Sequence, residues 1–189
     1  MILKEPQDLL AQELKEIYSA ERQLYRALPK LGKAILSDQL GVMLERRRER
    51  GSQLMEAIDD ALEEISTTKA RKKNAAVEGL IDDANAHADE IKDEAMLQVA
   101  IVGSLQKIEH YCIAAWGTSA SLGRLLRQPR VVEAMERALE EGKRFDEELT
   151  QLAQNEINPA MLGEGGRSED DQKEGDKGGS RGGRRKSVG

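Results

Sequence analysis

The chain has 189 residues, a formal net charge of −6, 34% charged side chains and only 3% aromatic ones. That length suits one domain with its own core, and the scarcity of aromatics makes the core aliphatic and, with few β-branched runs, helical. Net acidity gives no general affinity for nucleic acid or a membrane. The lone Cys112 excludes an internal disulfide, and neither a signal-peptide core nor an apolar run of ~18 residues is present, so the expectation is a soluble cytoplasmic protein.

Pro6 suits the first turn of a helix, and the residues after it keep a helical period with Leu10, Leu14, Ile17, Tyr18, Tyr25 and Leu28 on one stripe. Glu21 falls inside that stripe. Pro29 predicts a kink or restart, with a short separate segment PKLGKAIL. Ser37 and Asp38 are good caps for a second helix over roughly 38–65, whose apolar face is Leu40, Leu44, Leu54, Ile58 and Leu62. Within it, the run ERRRERG (45–51) places Arg47 and Gly51 on that face and Arg50 near its edge, with Glu49, Arg46 and Arg48 outward.

A shorter amphipathic piece follows, with Val77, Leu80, Ile81 and Ala84 on one side; it reads as a crossover helix. The third long helix includes residues 98–118, its stripe being Val102, Leu105, Ile108, Cys112, Ala115 and Trp116, with Glu109 in the middle and His110 turned toward water. Pro129 begins the fourth helix, phased on Val132, Met135, Leu139, Gly142 and Ala153, with Asp146 in the same stripe. From residue 163 the chain is rich in glycine and charge, holding nine of the 17 glycines, a composition that cannot offset chain entropy by burial. The expected organisation is a helical domain over 1–162 and a disordered tail over 163–189. The basic end of that tail, SRGGRRKS, could make weak nucleic-acid contacts, although a solubilising role is the simpler reading.

Four long helices with a long connection between the second and third suggest a ferritin-like four-helix bundle. Glu21, Glu109 and Asp146 then come from three helices at core-facing positions, and inward acids are rare unless paired, protonated or bound to metal. Oxygen-rich sites of this type suit iron or manganese.

The segments AERQLYRALPKLGKA, GLIDDANAHADEIKDEAML, IEHYCIAAWGTSASLGRLL and ALEEGKRFDEELTQLA resemble the YciE/YciF family of bacterial ferritin-like stress proteins, over about residues 5–158. The resemblance implies a ferritin-like fold, a homodimer, stress-induced expression and a candidate dinuclear metal site, without a defined reaction. By that resemblance Glu21, Glu109 and Asp146 stand at family acids. Cys112 stands where the family has a second acid on the third helix, and Gly142 where it has an inward glutamate on the fourth. RRERG stands where the second helix reads HLEET, bringing Arg47 and Arg50 to the inner face.

Arginines there would repel Fe²⁺ or Mn²⁺ and could pair with the acids instead. The favoured reading is thus a non-catalytic dimeric module with no cofactor, whose vestigial site is an internal ion network of Glu21, Glu109, Asp146, Arg47 and Arg50. Cys112 is read as a small core side chain. The alternative is a di-iron or di-manganese carboxylate protein of oxidase, peroxidase or iron-handling type.

Overall fold

The computed structural model describes residues 3–65 and 73–163 of the chain. Described residues form helices α1 (Pro6–Gly32), α2 (Asp38–Glu64), α3 (Ala75–Glu90), α4 (Glu94–Leu125) and α5 (Pro129–Leu152). A π-helical turn (Ala153–Ile157) and a last turn α6 (Asn158–Met161) complete them. No strand occurs among the described residues, and none of their helices is long and apolar enough to cross a membrane. The residues from 164 onward, which carry the tail and its basic segment, lie outside the described residues, as does most of the connection after α2.

Local chemistry fixes the helix ends. Side-chain oxygens of Ser37, Asn74 and Asp93 accept from the backbone N–H of Leu40, Val77 and Met96 and so satisfy donors left open in the first turns of α2, α3 and α4. Pro6 and Pro129 sit at the first positions of α1 and α5, where the missing N–H costs nothing. Between α4 and α5 the chain reverses in three residues. Arg127 takes the left-handed conformation (φ 56°), and the Gln128 N–H donates to the Gly123 carbonyl at 2.9 Å, closing the end of α4.

These short turns make two antiparallel hairpins, α1/α2 and α4/α5. They pack with α2 against α5 and α1 against α4, while α3 lies across α1 and α4. Because α3 lies on the connection between them, α2 and α4 run in the same direction. The core falls into two aliphatic groups. One holds Leu14, Leu24, Ile58, Leu62, Trp116 and Met135; the other holds Leu31, Leu40, Leu44, Ile101, Phe145 and Leu149. Polar side chains from α1, α2 and α4 fill the level between them.

Three expectations from the sequence are corrected. Pro29 does not start a separate segment: α1 runs through it to Gly32. It stands in the last helical turn, where a missing N–H removes one bond and leaves little helix beyond to misdirect. Tyr25 is on the exposed side, with the Arg48 guanidinium stacked 4.1 Å from its ring centre. The third correction concerns α5, whose buried row is Val131, Met135, Ala138, Gly142, Phe145, Leu149 and Leu152. Of the expected row, Met135 and Gly142 are buried, whereas Val132, Leu139, Asp146 and Ala153 lie one residue along, at the edge of the buried face. Both rows repeat every seven residues, and the chain's only phenylalanine decides between them.

Candidate functional site

Glu21 on α1 lies between Ala20 and Leu24, both buried, and is itself 1% exposed. Glu109 on α4 is equally enclosed, between Ile108 and Cys112. Helical period alone puts both carboxylates into the bundle, where an unpaired charge would be costly. The partner comes from α2. Arg47 is buried, and its guanidinium uses three nitrogens: Nη1 donates to Glu21 Oε2 at 2.8 Å, Nη2 to Glu21 Oε1 at 3.0 Å, and Nε to Glu109 Oε2 at 2.7 Å. One planar cation thus joins two helices through a third, with the bidentate geometry that lysine cannot supply.

The surroundings complete this arrangement. The Arg47 guanidinium carbon lies 5.4 Å from the centre of the Trp116 ring, and Nη2 points at Cys112 Sγ at 3.8 Å. Arg50 Nη2 is 3.8 Å from Glu109 Oε1, an ion pair without a hydrogen bond, and its guanidinium rests over Phe145. Two glycines make room. A Cβ at Gly51 would come within 2.7 Å of Glu21 Oε2, and one at Gly142 within 2.3 Å of Trp116 Cζ3 and 2.9 Å of Glu109 Oε1.

Burial opposes the charge on Arg47, but Glu109 and Glu21 outweigh it and hold the guanidinium well above its ordinary pKa. Burial raises the Glu109 carboxyl above its usual value against the pull of Arg47. Cys112 is pushed well up by burial and then by Glu21, which keeps it a neutral thiol. Arg50, closer to solvent, is lowered by burial and by the neighbouring Arg47.

Of the residues singled out in the sequence, Glu21, Glu109, Arg47 and Cys112 meet in one layer, with Arg50 at its border. Asp146 does not join them. It lies at the edge of the buried face of α5, its side chain 19% exposed, and pairs across the surface with His110 Nε2 at 3.2 Å. The phase correction on α5 is the reason: Phe145 takes the inward position and turns Asp146 aside. Two participants were not recognised from sequence. Trp116 stood in the apolar stripe, yet its part in covering Arg47 and filling the space opposite Gly142 was missed. A glycine on one helix facing the chain's only tryptophan on its neighbour was the available signal. Phe145, the seat of Arg50, was missed with the phase.

A dinuclear metal centre does not fit these residues. Three of the four carboxylate oxygens of Glu21 and Glu109 already accept from Arg47, and the fourth lies beside Trp116 and Gly142. An acid at position 142 is excluded while Trp116 keeps its place. Among the described residues, no group of three His, Cys, Asp or Glu side chains could hold a metal ion.

Residues 5–162 match the family described as Domain of unknown function (DUF892). The chain is 35% identical to Protein YciF of Escherichia coli (strain K12) over 159 residues, which covers 84% of this chain and 96% of that protein. The crystal structure of the E. coli stress protein YciF superposes with a TM-score of 0.77, covering 81% of this chain and 97% of that one. YcfI from Rhodopseudomonas palustris, 31% identical, gives 0.74 over 78% of this chain and 94% of its own. A Xanthomonas campestris protein of 19% identity shares the fold with a TM-score of 0.70, covering 84% of this chain and 97% of its own. The chain therefore belongs to the DUF892 family and is a homologue of the stress protein YciF.

Proposed function

We propose that this chain is a non-catalytic stress-response module, a cytoplasmic homodimer on a ferritin-like bundle, in which Arg47 serves in place of a dinuclear metal. The observation that carries the reading is the position of the guanidinium: it occupies the centre of the bundle and takes three of the four carboxylate oxygens that a metal would need. The ferritin-like assignment draws support from the crossover at α3, which leaves α2 and α4 parallel. The stress-response assignment follows the name of YciF. The dimer follows the family resemblance, and sedimentation at micromolar concentration should give twice the chain mass; a clean monomer contradicts it.

Chemically, the layer is built to persist rather than to react. Its thiol is neutral and enclosed, and its carboxylates are held by charge-assisted hydrogen bonds. Its cation carries no open coordination position. The test is metal content. Protein purified from cells grown with added iron and manganese should contain far less than one metal ion per chain. Two tightly held equivalents would establish the metalloprotein reading instead.

A further inference from the structure

Beside the ion layer, α2, α4 and α5 enclose a small cleft that the internal pairing does not use. It is lined by Arg50, Gln53, Leu54, Trp116, Ala138 and Arg137, with Arg47 behind them and Glu141 at the edge. The alanines of α5 leave the space, and the exposed side chains of Gln53 and Arg137 form the rim. The cleft offers about 20 Å³ to a body the size of a water molecule, sufficient for about one such body.

The polar groups at this cleft are unbalanced. Trp116 is 2% exposed, and its Nε1–H has no hydrogen-bond partner in the protein. Arg50 Nε and Nη2 are likewise buried without a hydrogen bond, Nη2 having only the ion pair with Glu109 Oε1 at 3.8 Å. Those two nitrogens form one edge of the guanidinium fork, the edge that grips an oxyanion or halide from the side. Buried donors left without a hydrogen bond are costly, so their presence on two residues that line one small space calls for an acceptor. Arg137 adds a second cation at the rim, and Glu141 is the only acid in the lining. Glu109 Oε1 also lacks a hydrogen bond and faces Arg50 Nη2 at 3.8 Å, but Glu109 does not line the cleft, and its other oxygen is taken by Arg47.

We propose that this cleft is a binding site for a small monoanion, a halide or the single inserted oxygen of a small carboxylate, held by Arg50 and the Trp116 indole N–H with Arg137 at the entrance. Size excludes a phosphate or sulfate from full enclosure. The site borders the Glu21–Arg47–Glu109 layer, with Arg47 at its back and Arg50 ion-paired with Glu109, and its acceptor would be an addition to that internal pairing.

Trp116 is the only tryptophan, so the protein carries its own probe. Chloride, and separately formate, would be titrated into the full-length protein at constant ionic strength, with gluconate as the replaced anion. Tryptophan emission should change saturably with chloride and formate. Arg137→Glu, at an exposed position, should weaken the response at least tenfold, and Arg50→Lys should weaken it while retaining the charge. Crystals soaked in bromide should show an anomalous peak within hydrogen-bond distance of Arg50 and Trp116 Nε1. A response that follows ionic strength alone overturns the proposal. So does an undiminished response in Arg137→Glu, or a water in place of bromide.

Discussion

On either side of the Glu21–Arg47–Glu109 layer the core is aliphatic, with Leu14, Ile58 and Met135 toward one end and Leu31, Ile101 and Leu149 toward the other. Those regions and the layer between them are buried to the same degree but hold together by different physics. The aliphatic ends gain from area removed from water, a non-directional contribution of about 25 cal/mol per Å² that tolerates exchange of similar shapes. The layer gains from directed bonds among charges whose desolvation is already a large cost, so its parts depend on one another. The difference teaches that equal burial does not mean equal tolerance: the ends should yield gradually to mutation, and the layer abruptly.

The sharpest way to break this comparison is Arg47→Ala, which leaves the Glu21 carboxylate in the core without a cation and Glu109 with only the Arg50 ion pair. Equilibrium unfolding at neutral pH should show a loss of ~3–5 kcal/mol, the usual cost of removing one partner from a buried ion pair. Arg46→Ala, one residue away on the exposed surface beside Glu148, should stay within about 0.5 kcal/mol of the parent. Removing the whole set tests the same logic in reverse. Glu21→Leu, Arg47→Met and Glu109→Leu together should be neutral or stabilising, by up to about 4 kcal/mol, because the fully buried charges are gone and only Arg50, at the border of the layer, keeps one. A triple variant less stable than Arg47→Ala would refute the claim that the single loss comes from orphaned carboxylates.

Glycines sharpen the contrast at intermediate size. Gly142→Ala forces a methyl against Trp116 and Glu109 and should destabilise by about 1–3 kcal/mol. Gly103→Ala, in helix α4 with nothing within 4 Å of the added carbon, should stabilise by about 0.4–1 kcal/mol. Thermal midpoints of the two variants should thus move in opposite directions. In the aliphatic end, Ile58→Val should cost about 0.5–1.5 kcal/mol. The smallest effect is expected from truncation after Gly163: composition gives residues 164–189 little apolar surface, so the midpoint should stay almost unchanged.

Much of this was legible in the sequence, for reasons that also explain the misses. Helix period placed Glu21, Arg47 and Glu109 inward: Glu21 lies between Ile17 and Leu24, Glu109 between Leu105 and Cys112, and Arg47 between Leu44 and, two turns on, Leu54. On α5 the signal was ambiguous: Val132 and the half-buried Leu139 form a second apolar row beside Val131, Ala138 and Phe145 and blur the edge. Asp146 was therefore assigned to the interior although it pairs with His110 at the surface. Distances between helices were not legible at all. Gly51 and Gly142 carry no side chain to reveal what lies against them, and the fit of Trp116 over Arg47 depends on how α2 and α4 are set together. The unpartnered donors of Arg50 and Trp116 could likewise be found only with coordinates.

The most direct test of the central claim is the stability difference between the parent and Arg47→Ala, measured by urea unfolding from pH 7 down to pH 4. Burial already raises the Glu109 carboxyl, and losing Arg47 removes the group that pulls it back down, so in the variant it should rise further. A group raised in the folded state favours folding most when protonated, below its unfolded pKa, and loses that advantage as pH climbs through the folded value. The variant should accordingly be far weaker than the parent at pH 7 and recover toward it as the pH falls toward the carboxylate range. A difference that stays constant across that range would contradict the account, because it would show that Arg47 contributes packing rather than the internal cation of the bundle.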